Sequence, residues 1–204
     1  RIGIAGLGHV GCGLIELVER QERLRIPGRI EIAGVSARSQ SRNRPVDTSK
    51  YRWFDDAATL AEDPDVDVFV ELIGGSDGPA KFAVEEALKA GKPVVTANKA
   101  LMAKHGMALA KLAEEKQVDL LFEAAVAGGI PVVRVLRDSL AGVEIKRVAG
   151  ILNGTCNFLT TEMLATGRAY DEVLAEAQKL GYAEADPTLD VSGMDAAHKA
   201  AILS

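Results

Sequence analysis

Ile2-Gly3-Ile4-Ala5-Gly6-Leu7-Gly8-His9-Val10-Gly11 sets the architecture of this chain. The apolar run 2–5 has the length and composition of a short buried strand, and residues 10–20 continue in a helical pattern. Between them falls the spacing Gly6-x-Gly8-x-x-Gly11. Strand, glycine turn and helix in that order form the setting that a dinucleotide fingerprint requires. Gly6 permits the tight turn, Gly8 lets the backbone approach a pyrophosphate, and Gly11 lets helix and strand pack closely. The helix N-terminus offers unpaired N–H groups and a positive dipole end to the phosphates. Leu7, His9 and Val10 complete the candidate cofactor turn. An ordinary glycine turn is the bland alternative, and it loses weight with each βα unit that follows.

Those units follow at regular spacing. Residues 30–35 read as a second strand, residues 37–50 as an exposed polar, basic loop, and residues 67–72 as a buried strand closed by Gly74-Gly75. Residues 79–90 place Ala83, Ala87 and Val84, Leu88 on neighbouring faces of a helix. Residues 93–96 then read as strand, 99–115 as helix and 118–122 as strand. This alternation predicts an α/β fold, a doubly wound parallel (Rossmann) sheet. The pattern loses regularity past Gly128-Gly129. The expected division is therefore a dinucleotide-binding domain over residues 1–129 and a second domain over residues 130–204.

Composition narrows the class without choosing a function. The net charge of −5 and the 4% aromatic content give no basic or stacking bias toward nucleic acid. No apolar run is long enough to span a bilayer, and no signal peptide precedes the first strand. Cys12 and Cys156 are isolated from His9, His105 and His198, so neither a disulfide framework nor a metal cluster is expected. A reducing cytoplasm is the simplest compartment.

The end of the second strand bears on which dinucleotide is preferred. An NAD site usually places Asp or Glu there to accept from the ribose hydroxyls. This chain instead reads Gly34-Val35-Ser36-Ala37-Arg38-Ser39, with Arg42 and Arg44 following. A guanidinium in place of a carboxylate favours the 2′-phosphate of NADP(H), with NAD(H) use still open. A solvated basic loop is the alternative. Farther on, Val95-Thr96-Ala97-Asn98-Lys99 lies where a strand gives way to a helix, on the ligand side of such a sheet. Lys99 in a first helical turn opposes the helix dipole and so calls for a reason.

The densest cluster of chemistry is Gly181-Tyr182-Ala183-Glu184-Ala185-Asp186-Pro187-Thr188-Leu189-Asp190-Val191-Ser192-Gly193-Met194-Asp195, with Lys199 four residues later. Gly181 and Pro187 prevent one continuous helix, so the acids are expected on a shaped loop. Ser192 to Asp195 fits a helix-opening capping box. Asp195 and Lys199 share a helix face at i,i+4, where a surface ion pair is the plain reading. Acids facing a lysine suit a small substrate with an ammonium group and a reacting oxygen. Upstream, Thr155 suits an N-cap for a helix running to residue 165. Cys156 in its first turn reads either as a small buried hydrophobe or as the nucleophile of a thiol-dependent semialdehyde dehydrogenase.

Together these stretches resemble the homoserine dehydrogenases. The segment 181–199 is similar to that family's motif G-Y-x-E-x-D-P-x-x-D-x-x-G-x-D-x-x-x-K. The glycine turn, Val95–Lys99, Glu123 to Pro131 and Gly150 to Thr155 stand in the expected order. The resemblance implies interconversion of L-homoserine and L-aspartate 4-semialdehyde, in the aspartate-derived threonine and methionine pathway. It assigns proton transfer to Lys199, with Asp195 and Lys99 assisting. It assigns substrate binding to Glu184, Asp190, Thr155 and Tyr182, and cofactor contacts to Thr96, Lys99 and Arg38 beside the glycine turn. The carbonyl-rich turn of Glu123, Val126, Gly128 and Ile130 would hold a sodium or potassium ion, whereas the residues alone favour an interdomain hinge. The second domain would be an α+β substrate and dimerisation domain, truncated here, and the full-length protein a homodimer or higher homo-oligomer. An NADP-binding regulatory module without chemistry is the alternative from outside the enzymes.

Overall fold

The computed structural model describes residues 1–21 and 28–204. Among these residues, six strands form one all-parallel sheet in the order β3-β2-β1-β4-β5-β6. The strands are β1 (Ile2–Ala5), β2 (Ile32–Ser36), β3 (Arg52–Phe54), β4 (Val68–Glu71), β5 (Val94–Thr96) and β6 (Leu120–Leu121). Helices α1 (His9–Glu19), α2 (Ala57–Glu62), α3 (Pro79–Lys89) and α4 (Lys99–Lys116) link them. The order reverses at β1, between β2 on one side and β4 on the other. Ligands of open α/β sheets bind beyond the strand C-termini at such a switch point. The doubly wound α/β expectation is met.

The contacts divide the chain into Arg1–Val133 and Arg134–Ser204. In the first unit Ile4, Cys12, Ile15 and Val35 pack where β1, α1 and β2 meet, with Leu7 under the glycine turn. After α5 (Val132–Arg134), the second unit holds α6 (Gly154–Thr166), α7 (Tyr170–Lys179), α8 (Thr188–Val191) and α9 (Met194–Leu203). Leu159, Val173, Ala177 and Ala183 form its small core.

Several local expectations need correction. The second strand runs from Ile32 to Ser36 rather than from residue 30, and the last strand of the sheet spans two residues. The stretch 188–191, read as loop, is helical. The Asp186 carboxylate accepts from both the amide (3.1 Å) and the hydroxyl (2.5 Å) of Thr188, which starts the turn after Pro187. The capping box at Ser192 does not form. Gly193 occupies the N-cap of α9 in a left-handed conformation (φ 79°), and the Ser192 hydroxyl turns back to the carbonyl of Leu189. The cap of α6 is Asn153 rather than Thr155: Asn153 Oδ1 accepts from Cys156 N at 2.8 Å.

Candidate functional site

The first unit carries a cleft of about 670 Å³ beyond the strand ends, lined by Gly6, Gly8, Arg38, Arg42 and the turn at Gly74 and Gly75, among others. Its floor needs glycine for steric reasons. Gly6 has φ +102°, and a Cβ there would lie 2.3 Å from the carbonyl carbon and oxygen of Leu72. A Cβ on Gly11 would lie 2.0 Å from the Gly6 carbonyl oxygen. Gly8 differs, because its Cβ would meet nothing within 4 Å. It stands at the N-cap of α1, a helix with no side-chain cap and no acid in its first turn. Its backbone thus faces open space beside unpaired N–H groups, the arrangement that receives a pyrophosphate.

The other residues of the turn divide by exposure. Leu7 is buried in the core, whereas His9 and Val10 are exposed. Arg38 is exposed at the cleft wall, two residues past the end of β2. Thr96 is buried; its hydroxyl donates to Glu71 Oε2 at 2.5 Å. Lys99, partly buried, is the first residue of α4.

Glu71 was not singled out in the sequence. Its side chain is fully buried at the end of β4. Oε1 accepts from the amides of Ile73 (2.7 Å) and Gly74 (3.0 Å). Asn98 Nδ2 donates to Gly75 O at 2.7 Å and, more weakly, to Glu71 Oε1 at 3.5 Å. Asn98 Oδ1 also caps α4 by accepting from Leu101 N at 3.0 Å. One carboxylate therefore fixes the turn after β4 and the turn after β5, both on the ligand side of the sheet. An acid ending the apolar run Val68-Phe69-Val70 was the signal available in the sequence.

The turn after β6 contains the candidate cation ligands. Glu123 begins a 3₁₀ turn, and its side chain accepts from Val133 N at 3.0 Å. The carbonyls of Glu123 and Ile130 accept from Val126 N and Val132 N, which leaves each a second lone pair. Gly128 and Ile130 are exposed and Val126 is buried. A carbonyl-rich turn of this kind offers oxygens of the type that a hard cation takes.

In the second unit the structure brings Thr155, Asp190, Asp195 and Lys199 together around Asn153. Asn153 Nδ2 donates to Asp190 Oδ1 and to Asp195 Oδ2, both at 2.8 Å. Lys199 Nζ lies 2.9 Å from Asp195 Oδ2 and donates to the carbonyl of Leu152 at 2.8 Å. The side chains of Asp195 and Lys199 are 3% and 19% exposed, so this is no surface ion pair. The Thr155 hydroxyl lies 2.7 Å from Tyr182 O and 3.2 Å from Asp190 Oδ2, with one proton for the two acceptors. Cys156 Sγ donates to the carbonyl of Asp190 at 3.1 Å. Burial, then the nearby Asp190 and Asp195 carboxylates, push its thiol pKa up, away from a thiolate at neutral pH. The Tyr182 ring is exposed and tilts against Phe158 at 5.0 Å. Glu184 is exposed on the 181–187 segment, and the structure does not bring its carboxylate into this cluster.

Among the described residues no helix is long and apolar enough to cross a membrane. The sequence profile of the homoserine dehydrogenase NAD-binding domain matches residues 6–123, and that of homoserine dehydrogenase matches residues 131–204. The homoserine dehydrogenase of Corynebacterium glutamicum is 52% identical over all of this chain and 46% of its own length. The crystal structure of a homoserine dehydrogenase from Thiobacillus denitrificans is 44% identical, with a TM-score of 0.85 over 97% of this chain and 46% of that one. A hyperthermophilic archaeal homoserine dehydrogenase, solved in complex with NADPH, is 31% identical, with a TM-score of 0.85 over 99% of this chain and 67% of that one. The chain spans about half the length of the curated relatives it matches. With an NAD(P)-binding domain followed by part of a catalytic domain, it belongs to the homoserine dehydrogenase family.

Proposed function

We propose that the complete protein interconverts L-homoserine and L-aspartate 4-semialdehyde, using NADP(H) in preference to NAD(H). The observation that carries this reading is the buried Asp195–Lys199 pair held against Asn153, with Asp190 beside it. When bound, the dinucleotide accepts or supplies the hydride. Two of the three Lys199 ammonium protons are committed to Asp195 and Leu152 O, leaving one for a substrate oxygen. In reduction Lys199 gives that proton to the developing alkoxide, and in oxidation its neutral form accepts it. Asp195 orients the ammonium. Asp190 keeps lone pairs beyond those used by Asn153 and Thr155 and receives the substrate ammonium, with exposed Glu184 assigned beside it by family resemblance. Tyr182 and Thr155 line the same place, and Lys99, Thr96 and Asn98 belong to the nicotinamide side by family resemblance.

Exposed Arg38 and Arg42 on the cleft, with Ser36 where an NAD site would carry an acid, support the preference for NADP(H). The NADPH bound by the archaeal relative agrees with it. The cation ligands are Glu123, Val126, Gly128 and Ile130, and the ion would stiffen the turn after β6. Exchanging sodium and potassium for a bulky organic cation at fixed ionic strength should lower turnover; indifference would return the turn to a hinge. The complete protein is proposed to be a cytoplasmic homodimer or larger. The exposed apolar residues Val143, Val148 and Ile151 offer surface for assembly.

The test of the whole reading is homoserine-dependent reduction of NADP+ by the complete protein. NADPH binding without turnover would overturn it in favour of a non-catalytic NADP-binding module.

A further inference from the structure

The geometry points to Arg44 as the positioning residue that builds the 2′-phosphate loop, an inference that rests on the proposed NADP(H) preference. Arg44 spends its guanidinium on backbone. Nη2 donates to Ser39 O at 2.6 Å, Nη1 to Arg42 O at 3.0 Å and to Gln40 O at 3.3 Å, and Nε to Leu7 O at 3.4 Å. Its plane lies over the Trp53 ring, 5.5 Å from the centroid, and the Trp53 indole is itself fixed by donating to Asp55 at 3.0 Å. Trp53 pairs with Val35, so this platform stands beside the strand whose end carries Arg38.

Four carbonyls from two loops thus converge on one planar fork. Three belong to the Ser39–Arg42 bend, and the fourth, Leu7 O, belongs to the glycine turn. Arg44 therefore ties the basic loop to the pyrophosphate turn. Its donors face protein acceptors, so it has little left for a ligand. Arg38 and Arg42 are in the opposite condition: both are exposed on the cleft, and among the described residues neither guanidinium has a hydrogen-bond or ion-pair partner. The division of labour is clear. Arg44 shapes the loop, and Arg38 and Arg42 present charge to the phosphate. Lysine at position 44 would keep the charge but lose the planar, pre-organised fork.

Titrating the complete protein with NADPH and with NADH tests this in Arg44→Ala, Arg44→Lys, Arg38→Ala and Arg42→Ala. An unbraced loop that holds the binding shape about a tenth of the time lowers apparent NADPH affinity about tenfold, while NADH, which lacks the phosphate, loses much less. Arg44→Lys should behave like Arg44→Ala. A wild-type NADPH/NADH ratio in Arg44→Lys would mean that charge alone suffices, and would overturn the positioning role. So would equal losses for both cofactors in Arg44→Ala, which would make the residue a general support of the glycine turn. A ratio lost in Arg38→Ala but kept in Arg44→Ala overturns the inference and leaves the NADP(H) reading intact. Wild-type ratios in all four variants overturn both. A ratio lost only in the Arg44 variants would make Arg44 a direct phosphate ligand, which also contradicts the inference.

Discussion

Asn153 divides its two amide protons between Asp190 and Asp195, which lie 37 and 42 residues away in sequence, each at 2.8 Å. One amide nitrogen thereby bridges the two carboxylates. Asp195 also has Lys199, whereas Asp190 relies on Asn153 and on the hydroxyl of Thr155. Asn153→Ala removes both donors and the helix cap on Cys156 N. It should destabilise the chain by about 1–3 kcal/mol, the cost of leaving buried polar groups unsatisfied. Urea denaturation reads this directly, and a midpoint equal to wild type would show that solvent replaces the amide.

Gly8 and Gly11 should separate binding from folding. Alanine at Gly11 puts a Cβ 2.0 Å from a backbone oxygen, so a loss of about 1–3 kcal/mol or more in stability is expected. Alanine at Gly8 meets no protein atom and needs no positive φ, so stability should stay within about 0.5 kcal/mol of wild type. NADPH affinity should nevertheless fall by about tenfold, or ~1.4 kcal/mol, because the methyl occupies the space meant for pyrophosphate. A Gly8→Ala protein that binds NADPH normally would remove the cofactor from this turn.

Glu71 should prove costly to replace even though it touches no ligand in this account. In Glu71→Gln the carbonyl can keep Ile73 N and Gly74 N, but the amide then faces the Thr96 hydroxyl, which loses its acceptor. A cost of about 1 kcal/mol follows, and more than about 2 kcal/mol for Glu71→Ala, where Ile73 N, Gly74 N and the Thr96 hydroxyl all lose their acceptor. Thermal melts of the two variants check the order; equal melting temperatures would contradict the network.

Cys156 supplies a pH test. Its raised thiol pKa means that the thiolate fraction is small at neutral pH and grows only above the ordinary thiol range. Alkylation by iodoacetamide should therefore be slow at pH 7 and still be accelerating where an unperturbed cysteine has levelled off. Fast modification at pH 7 would revive the thiolate nucleophile and the semialdehyde dehydrogenase reading.

The sheet was legible wherever a strand ended in a glycine or capping signal. β1 precedes Gly6, β4 precedes Gly74, and β5 precedes the Asn98 cap of α4. β3 and α2 escaped notice because Arg52–Phe54 is too short for a visible period, and Ala57–Glu62 buries only small residues and Leu60 behind its Asp56 cap. α7 did carry a readable signal: Val173 and Ala177 lie at i,i+4, acids occupy its first turn and Lys179 its last. The i,i+4 pairing of Asp195 with Lys199 could be read from spacing, but its burial could not. Burial depends on Asn153 and Leu152, which reach the pair only through the packing of α6 against α8 and of α8 against α9. The four carbonyls gathered by Arg44 were hidden for the same reason.

The central claim is that Lys199 moves the proton. Lys199→Ala in the complete protein should lower kcat by about 10²–10⁴-fold, the usual contribution of a positioned acid–base group. NADPH affinity should change little, because the glycine turn belongs to the other unit and keeps all its contacts. The parallel variant Glu184→Ala should raise KM for homoserine instead, through loss of a partner for its ammonium. A kcat within about twofold of wild type in Lys199→Ala would contradict the account and reduce the Asp195–Lys199 pair to a structural tie in α9.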